Sequence, residues 1–200
     1  MTRARRTRRR GGSRTDSRDW EHLSPAAYFG LFERRELIFG FVRKLGAAPV
    51  GYNRIVAILM QALVQHLKHR PAALPCALPD VVLDSAGGLI LHPAVAVVLG
   101  DRLTILRERV WGAPNVVIDV ISPSSARRTK LSKARWYRKY GVQEYWLVDL
   151  RSRSLDVLDF EATTLDIPRI YRTDRDFMSR VLPTFEPGMR SIFGDQSPTR

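Results

Sequence analysis

Cysteine is nearly absent from the 200-residue sequence, which contains only Cys76. A single cysteine excludes an internal disulfide framework and a zinc cluster built from cysteines, and it fits the reducing cytoplasm. The sequence also lacks any run of about 18 apolar residues, so we expect no membrane-spanning helix. Its basic start leads into Gly-Gly-Ser rather than an apolar stretch, so we expect no secretory signal. These absences predict a cytoplasmic protein.

Acidic residues are missing from two strongly basic segments. Residues 1–14 contain seven arginines, and residues 122–140 contain seven lysines and arginines, so the two segments account for all of the net charge of +13. The first segment has too few apolar residues to fold, and we predict a disordered basic arm over residues 1–19. The arm either attracts nucleic-acid phosphates or only increases solubility. Because 44% of the sequence is apolar, we expect one domain over residues 20–195, followed by a tail at 196–200.

The hydrophobic periodicity predicts a mixed-sheet domain of the α/β or α+β class, with helices flanking a mixed central sheet. Ser24 and Pro25 are residue types that typically begin a helix. Asp84-Ser-Ala-Gly-Gly, between two apolar runs, predicts a hairpin turn. The nearly all-apolar stretch from Asn115 to Ile121 predicts a strand buried on both faces. The predicted strands are 36–42, 78–83, 89–99, 115–121, 144–150, 154–160 and 165–172, and the predicted long helices are 53–70 and 124–140.

Asp119 is the one charged residue in the apolar stretch Val-Val-Ile-Asp-Val-Ile. A buried carboxylate without a partner costs on the order of several kcal/mol, so Asp119 needs a cation, another polar partner or a solvent-lined cleft. One interpretation is structural: the carboxylate accepts hydrogen bonds from the Ser-Pro-Ser turn that follows the strand. The other is that Asp119 belongs to a functional site.

The helix after this strand carries lysines among its aromatic residues. At roughly 100° per residue, Lys133 falls between Tyr137 and Tyr140, and Lys130 lies on the same side. Either these lysines extend past the rings to solvent, or the strand–turn–helix connection brings an ammonium group to the Asp119 carboxylate. A carboxylate and a lysine beside a basic, acid-free surface are the groups that metal-dependent phosphodiester hydrolysis uses.

Residues 114–149 carry the most specific motif of the sequence. They contain Pro-Asn-Val-Val-Ile-Asp-Val-Ile-Ser-Pro-Ser-Ser-Ala-Arg-Arg, then Lys133 and Tyr137, then Gly-Val-Gln-Glu-Tyr-Trp-Leu-Val-Asp. This pattern resembles the signature of the Uma-type restriction endonucleases, which belong to the PD-(D/E)XK nuclease superfamily. Weaker likenesses at Glu36-Leu-Ile-Phe-Gly and Arg180-Val-Leu-Pro extend the resemblance over nearly the whole chain except the basic arm.

The resemblance implies a restriction-endonuclease-like fold and an endonuclease that cleaves DNA with Mg²⁺ or Mn²⁺. Asp119 stands at the family's carboxylate before the Ser-Pro-Ser turn, Lys133 at its helix lysine, and Glu36 at its first-strand glutamate. It therefore implies that Asp119, Lys133 and Glu36 are catalytic, with Asp119 and Glu36 as metal ligands. The residues expected to contact phosphates are Arg127, Arg128, Lys130, Arg135, Arg138 and Lys139.

Several positions depart from the family's pattern. The Pro-Asp pair that supplies a metal ligand falls on Pro93-Ala94, and Phe39 and Phe41 replace polar residues. Loss of a ligand that positions the metal would cost roughly 10³-fold in rate, so the alternative is an inactive relative that binds DNA or a protein partner. His92 could restore a ligand for Mn²⁺ or Zn²⁺. A third interpretation is a basic adaptor that acts through its arm, and a homodimer is a further expectation.

Overall fold

The computed structural model describes residues 21–31, 34–70, 72–121, 127–161, 168–172, 177–185 and 192–193, with side chains omitted at 127–131. The predicted basic arm and tail therefore lie outside the described residues. The α-helices are α1 (Pro25–Phe29), α2 (Val50–Leu67) and α3 (Arg127–Tyr140), and a 3-10 helix spans Gly100–Ile105. The strands are β1 (Glu21–His22), β2 (Arg35–Ile38), β3 (Phe41–Lys44), β4 (Ala73–Ala77), β5 (Val81–Asp84), β6 (Leu89–Leu91), β7 (Val95–Leu99), β8 (Val110–Trp111), β9 (Val116–Ile121), β10 (Glu144–Asp149), β11 (Ser154–Asp159) and β12 (Arg169–Tyr171).

Within the described residues, the strands form two six-stranded sheets. The first sheet has the order β1-β3-β2-β6-β5-β8, and the second has the order β12-β11-β10-β9-β7-β4. Parallel pairing occurs between β9 and β10, which flank α3 in the chain, and between β5 and β8. The predicted mixed α/β architecture is confirmed. Its division into two sheets rather than one central sheet was not predicted.

The second sheet lies between two apolar clusters, and its central strand β9 contributes to both. Val116, Ile118 and Val120 pack in the cluster that contains α2. Val117 and Ile121 pack in the other cluster, which contains residues of α3 and of the first sheet. Because strand residues alternate between faces, Asp119 lies on the same side as Val117 and Ile121, toward α3. The prediction that β9 is buried on both faces is confirmed.

Two predicted strands are wrong, because each one is divided in the structure. Residues 36–42 form parts of the β2–β3 hairpin, in which Ile38 pairs with Phe41. The two residues between them, Phe39 and Gly40, have φ angles of +52° and +87°, as a primed hairpin turn requires. A Cβ atom at Gly40 would lie 2.7 Å from the Nε2 atom of the exposed His22 ring, which would have to move, while the positive φ by itself favours glycine.

The second divided strand is the predicted segment 89–99, whose halves belong to different sheets. Strand β6 pairs within the first sheet and β7 within the second, and Pro93 lies between them. Proline cannot donate a backbone hydrogen bond, so it favours a break in the pairing at this point. The chain therefore crosses between the sheets at Pro93 and Ala94.

The remaining predicted helices and strands agree with the structure within a few residues where it describes them. Helix α2 begins at Val50 and ends at Leu67, and it buries the predicted face with Ile55, Leu59 and Leu63. The predicted hairpin turn joins β5 to β6. Parts of the predicted helix 124–140 and strand 165–172 lie outside the described residues. Strands β1, β4 and β8 were not predicted. In the described part of the chain, no helix is long and apolar enough to cross a membrane.

Candidate active site

Asp119 and Lys133 meet between the second sheet and α3. The Lys133 Nζ atom lies 2.9 Å from Asp119 Oδ2, and only 9% of the lysine side chain and 14% of the aspartate side chain are exposed. Strand β9 directs the carboxylate toward α3, and the helical repeat directs Lys133 inward among aromatic rings. The expectation that this lysine reaches the strand carboxylate is confirmed.

Glu36 completes the ionic centre from strand β2. Its side chain is fully buried, and its Oε1 atom lies 2.7 Å from Lys133 Nζ. Arg43, opposite Glu36 in the hairpin, binds Oε2, and the His92 backbone N–H donates to Oε1 over 3.3 Å. Burial by itself would raise the pKa of Glu36, but Lys133 and Arg43 outweigh it and hold that pKa below its usual value. Glu36 is therefore an anion that fixes the position of Lys133.

The charge on Lys133 is maintained by the same contacts. Burial would lower the pKa of this ammonium group, but the adjacent carboxylates of Asp119 and Glu36 raise it above its usual value. The two carboxylates are balanced by Lys133 and Arg43, so the buried charges of this group sum to zero. A neutral sum reduces the cost of burying four charges together, although each ion still loses its hydration.

Two tyrosines adjoin the centre, and neither was singled out from the sequence as a site residue. The Tyr145 hydroxyl donates to Asp119 Oδ2 over 2.7 Å. The Tyr137 ring lies 4.9 Å from the Tyr145 ring, and among the described residues its buried hydroxyl has no hydrogen-bond partner. Burial raises the pKa of both phenols well above the usual value, and Asp119 raises it further, so both stay protonated. Tyrosines at inward-facing positions of a strand or helix are equally typical of an ordinary apolar core. The sequence therefore did not indicate that Tyr137 and Tyr145 adjoin a functional site.

Ala94, which stands where the family pattern has a metal-binding aspartate, is enclosed by apolar side chains. Ala94 is completely buried and belongs to the cluster that contains α2. It immediately precedes Val95, which pairs with Ile118 on β9, so it lies close to Asp119 along neighbouring strands. The methyl group of Ala94 provides no ligand atom.

His92 lies in a second polar group rather than beside the Asp119 carboxylate. Its Nδ1 atom is 3.1 Å from Asp80 Oδ1, and Asp80 also accepts from Arg109 over 3.4 Å. Burial would raise the pKa of Asp80, but the hydrogen bond and charge of His92 and the charge of Arg109 lower it overall. In the described residues, the buried His92 Nε2 has no hydrogen-bond partner. The contact to Asp80 was not predicted.

A further pair borders the centre at the start of α2. Arg34 donates from its guanidinium group to the Tyr52 hydroxyl over 3.1 Å and lies 5.0 Å from the Tyr52 ring centroid. Burial raises the pKa of Tyr52, Arg34 lowers it and Asp119 raises it, with a net increase. Because the Asp119 charge affects the pKa of Tyr52, the Arg34–Tyr52 pair lies near the ionic centre.

The basic face of α3 is exposed where its side chains are described. Arg135, Arg138 and Lys139 are exposed, as expected for phosphate contacts. The side chains of Arg127, Arg128 and Lys130 lie outside the described part of the structure. Among the residues that the structure describes, no group of three or more His, Cys, Asp or Glu side chains could hold a metal ion.

The comparisons with known proteins agree with this architecture. The Uma2 family model, described as "Putative restriction endonuclease", matches residues 26–190. A crystal structure described as a putative nuclease from Anabaena variabilis, belonging to the DUF820 family, superposes with a TM-score of 0.71 at 14% sequence identity. The match covers 86% of this chain and 97% of that one, and it shows a common fold.

No curated protein matches the chain in sequence. The family model nevertheless covers most of the chain, including β9, α3 and all three residues of the Asp119–Lys133–Glu36 centre. The resemblance stated from the motif at residues 114–149 is thereby confirmed. The chain belongs to the Uma2 family, whose model is described as "Putative restriction endonuclease".

Proposed function

We propose that this protein hydrolyses phosphodiester bonds of DNA with a divalent cation, Mg²⁺ or Mn²⁺, at the centre formed by Asp119, Lys133 and Glu36. The observation that carries the proposal is the buried Lys133 ammonium group, 2.9 Å from Asp119 and 2.7 Å from Glu36. A purely structural helix would place an apolar side chain at such a buried position. Membership of a nuclease family and the exposed basic residues of α3 support a nucleic-acid substrate.

Asp119 is the residue that would hold the cation. Its Oδ2 atom accepts hydrogen bonds from Lys133 and Tyr145, which would direct Oδ1 toward a ligand. Glu36 fits the expected role of metal ligand less well, because both of its oxygens accept from cationic groups and it is fully buried. A single carboxylate is still compatible with Mg²⁺, which commonly takes one or two carboxylates and completes its shell with waters and phosphate oxygens. When bound, the cation supplies positive charge for the phosphate oxygens and the attacking water.

The other residues of the centre have roles that follow from their contacts. Lys133 would stabilise the negative charge that develops on the phosphate, while Glu36 and Arg43 fix its position. Tyr145 fixes the Asp119 carboxylate. Beside this centre, the buried Tyr137 hydroxyl and the buried Arg43 Nε atom have no hydrogen-bond partner among the described residues.

Cleavage of supercoiled plasmid in Mg²⁺ or Mn²⁺ tests the proposal. Lys133→Ala should reduce the cleavage rate about 100-fold or more, because it removes a preorganised positive charge from the site. Lys68→Ala is the matched control, since Lys68 is an exposed lysine just after α2 and outside the proposed site, and its rate should stay within about threefold of the wild type. Asp119→Asn, which preserves the side-chain size, should also abolish cleavage. Equal cleavage by the wild type and Lys133→Ala would contradict the proposed role.

A second candidate function is DNA or partner binding without cleavage, and the fully buried Ala94 favours it. Under this proposal the loss of the family's aspartate has removed catalysis while the fold and the basic helix remain. Ala94→Asp should then create Mn²⁺-dependent cleavage that is absent from the wild type. Ala94→Asn is the control for size and polarity without a charge, and thermal melting of both variants reports whether they fold. Cleavage by the unmodified protein would reject this second candidate.

The proposed location is the cytoplasm, as the cysteine content predicts. DNA is the proposed partner, and the homodimer expected from the sequence analysis stays a prediction. The role of the basic arm also stays a prediction, because residues 1–19 lie outside the described part of the chain. Removing residues 1–14 should weaken DNA binding at low salt without abolishing it if the centre and α3 are the main binding surface.

A further inference from the structure

The tip of the β2–β3 hairpin exposes two phenylalanines. Phe39 is 46% exposed and Phe41 is 47% exposed, and neither ring belongs to an apolar cluster of the described residues. Phe39 also has a φ of +52°, a backbone conformation that bulky side chains rarely adopt. Asn or Gly would suit this turn position better. The core of the fold therefore does not explain why an aromatic ring is held there.

Phe41 lies on the same side of the hairpin as the ionic centre. Ile38 pairs with Phe41, and Glu36 pairs with Arg43 two residues further along. Paired residues of an antiparallel hairpin direct their side chains to one face, and that face alternates every residue. Phe41 therefore shares a face with Arg43 and Glu36, which bind each other in the centre.

Helix α3 provides a third ring at the same place. The Phe39 and Trp136 ring centroids are 5.7 Å apart in an edge-to-face arrangement with an interplanar angle of 82°. Trp136 follows Lys133 by three residues, which is about 5 Å along the helix axis. Phe39 is therefore in ring contact with the half-buried Trp136, and Phe41 lies at the same end of the hairpin, where its ring is 5.2 Å from the His22 ring. We call Phe39, Phe41 and Trp136 the aromatic group.

The charge around this aromatic group favours a polyanion as its ligand. Arg135 and Lys139 flank Trp136 on α3 and are exposed. Asp84 is an acidic residue that contacts the end of this helix, and its carboxylate already accepts from the Tyr140 hydroxyl over 2.8 Å and from the Gly87 N–H over 2.7 Å. Exposed rings beside cationic side chains are the combination that binds single-stranded nucleic acid, in which bases stack on rings and phosphates pair with cations.

We propose that Phe39, Phe41 and Trp136 form a stacking site for unpaired nucleobases next to the Lys133 centre. Bases in an intact duplex are stacked on each other, so this site selects single-stranded or locally unpaired DNA. The inference rests on the nucleic-acid ligand of the proposed function, but it does not depend on cleavage. It assigns a role to two aromatic residues that stand where the family pattern has polar ones.

Binding in EDTA, where cleavage is prevented, tests the stacking site. Fluorescence anisotropy compares a 5′-labelled single-stranded thymidine 12-mer with a 12-mer of equal charge that carries four central abasic sites. The wild type should bind the complete oligonucleotide about tenfold or more tightly. Phe39→Tyr keeps an aromatic ring and should retain this preference. Phe39→Leu keeps an apolar side chain in the same strained turn and should reduce the preference at least fivefold.

Three outcomes would overturn the inference. The first is equal binding of both oligonucleotides by the wild type, and the second is an unchanged preference in Phe39→Leu. The third is a wild-type dimer in analytical ultracentrifugation that dissociates in Phe39→Leu, since the rings would then contact a second copy of the chain. Lys133→Ala separates this inference from the proposed function, because it should lose cleavage and retain the base preference. A preference without any cleavage would reject the proposed hydrolysis alone, and cleavage without a preference would reject the stacking site alone.

Discussion

Glu36 and Glu144 are both completely buried, but their surroundings differ in kind. Glu36 is bound by two cationic side chains, Lys133 and Arg43. The hydrogen bonds to Glu144 come from neutral donors, and its cationic neighbour, the Arg169 guanidinium group, lies further away at 3.9 Å from Oε1. The neutral donors are the Ser179 hydroxyl at 2.6 Å, the Arg180 and Val181 backbone N–H groups at 2.7 and 3.3 Å, and the Trp146 indole N–H at 2.9 Å.

The two arrangements have different consequences for the molecule. Neutral donors satisfy the Glu144 carboxylate and attach the segment around Ser179 to strand β10, so this glutamate stabilises the fold. Glu36 instead holds the long, flexible side chain of Lys133 at a fixed position beside Asp119. A buried carboxylate in direct contact with several buried cations therefore indicates a candidate reaction centre, whereas one whose hydrogen bonds come from neutral donors indicates a structural contact.

Replacing Glu144 should produce the largest loss of stability. Glu144→Ala leaves two buried and two partly buried donors without their acceptor, so we expect a loss of about 4 kcal/mol in the free energy of unfolding. Glu161→Ala is the control, because Glu161 is an exposed acid and should cost less than about 1 kcal/mol. Urea unfolding measures both. A loss below 1 kcal/mol for Glu144→Ala would remove the structural interpretation of this residue.

Replacing Glu36 should have a smaller effect that depends on pH. Glu36→Gln breaks two buried ion pairs and should cost about 3 kcal/mol at pH 7. Because the folded-state pKa of Glu36 is lowered, its contribution is complete above the ordinary value of 4.5 and is lost as the pH falls through the folded-state pKa. The difference between wild type and variant should therefore shrink below pH 4.5 in urea unfolding. A difference that stays constant from pH 7 to pH 3.5 would show that the ion pairs contribute little.

The smallest effects are expected from removing one hydroxyl in each region. Tyr145→Phe removes a donor to Asp119, and Ser179→Ala removes a donor to Glu144. Each should lower the free energy of unfolding by about 1 kcal/mol. Only Tyr145→Phe should also slow plasmid cleavage, by roughly tenfold, since it loosens the carboxylate that would hold the cation. Equal cleavage rates for both variants would erase the functional difference between the two regions.

The sequence predicted the central contact because both residues break a strong local pattern. Asp119 is a charge in an apolar strand, and Lys133 is a charge on the aromatic side of a helix. The partners from the hairpin could not be found in the same way. Predicting that Arg43 binds Glu36 requires knowing that a turn joins β2 to β3. Phe39 gives no signal for this turn, because aromatic residues favour strands rather than left-handed turn positions.

The division into two sheets was hidden for a related reason. Residues 89–99 are apolar apart from His92, and His92-Pro93 marks the point where the chain leaves the first sheet for the second. Glu144 was not recognised as a buried residue, because a charge at the start of a strand is normally an exposed one. Its burial depends on the segment around Ser179, which is distant in sequence and carries no pattern that indicates this contact.

Calorimetric titration of Mn²⁺ into the folded protein tests the central claim most directly, because it asks whether Asp119 holds a cation beside Lys133. The account predicts one Mn²⁺ bound per chain by the wild type and at least tenfold weaker binding by Asp119→Asn. Asp101→Asn makes the same chemical change at an exposed acid and should bind as the wild type does. Identical titrations for the wild type and Asp119→Asn would contradict the claim.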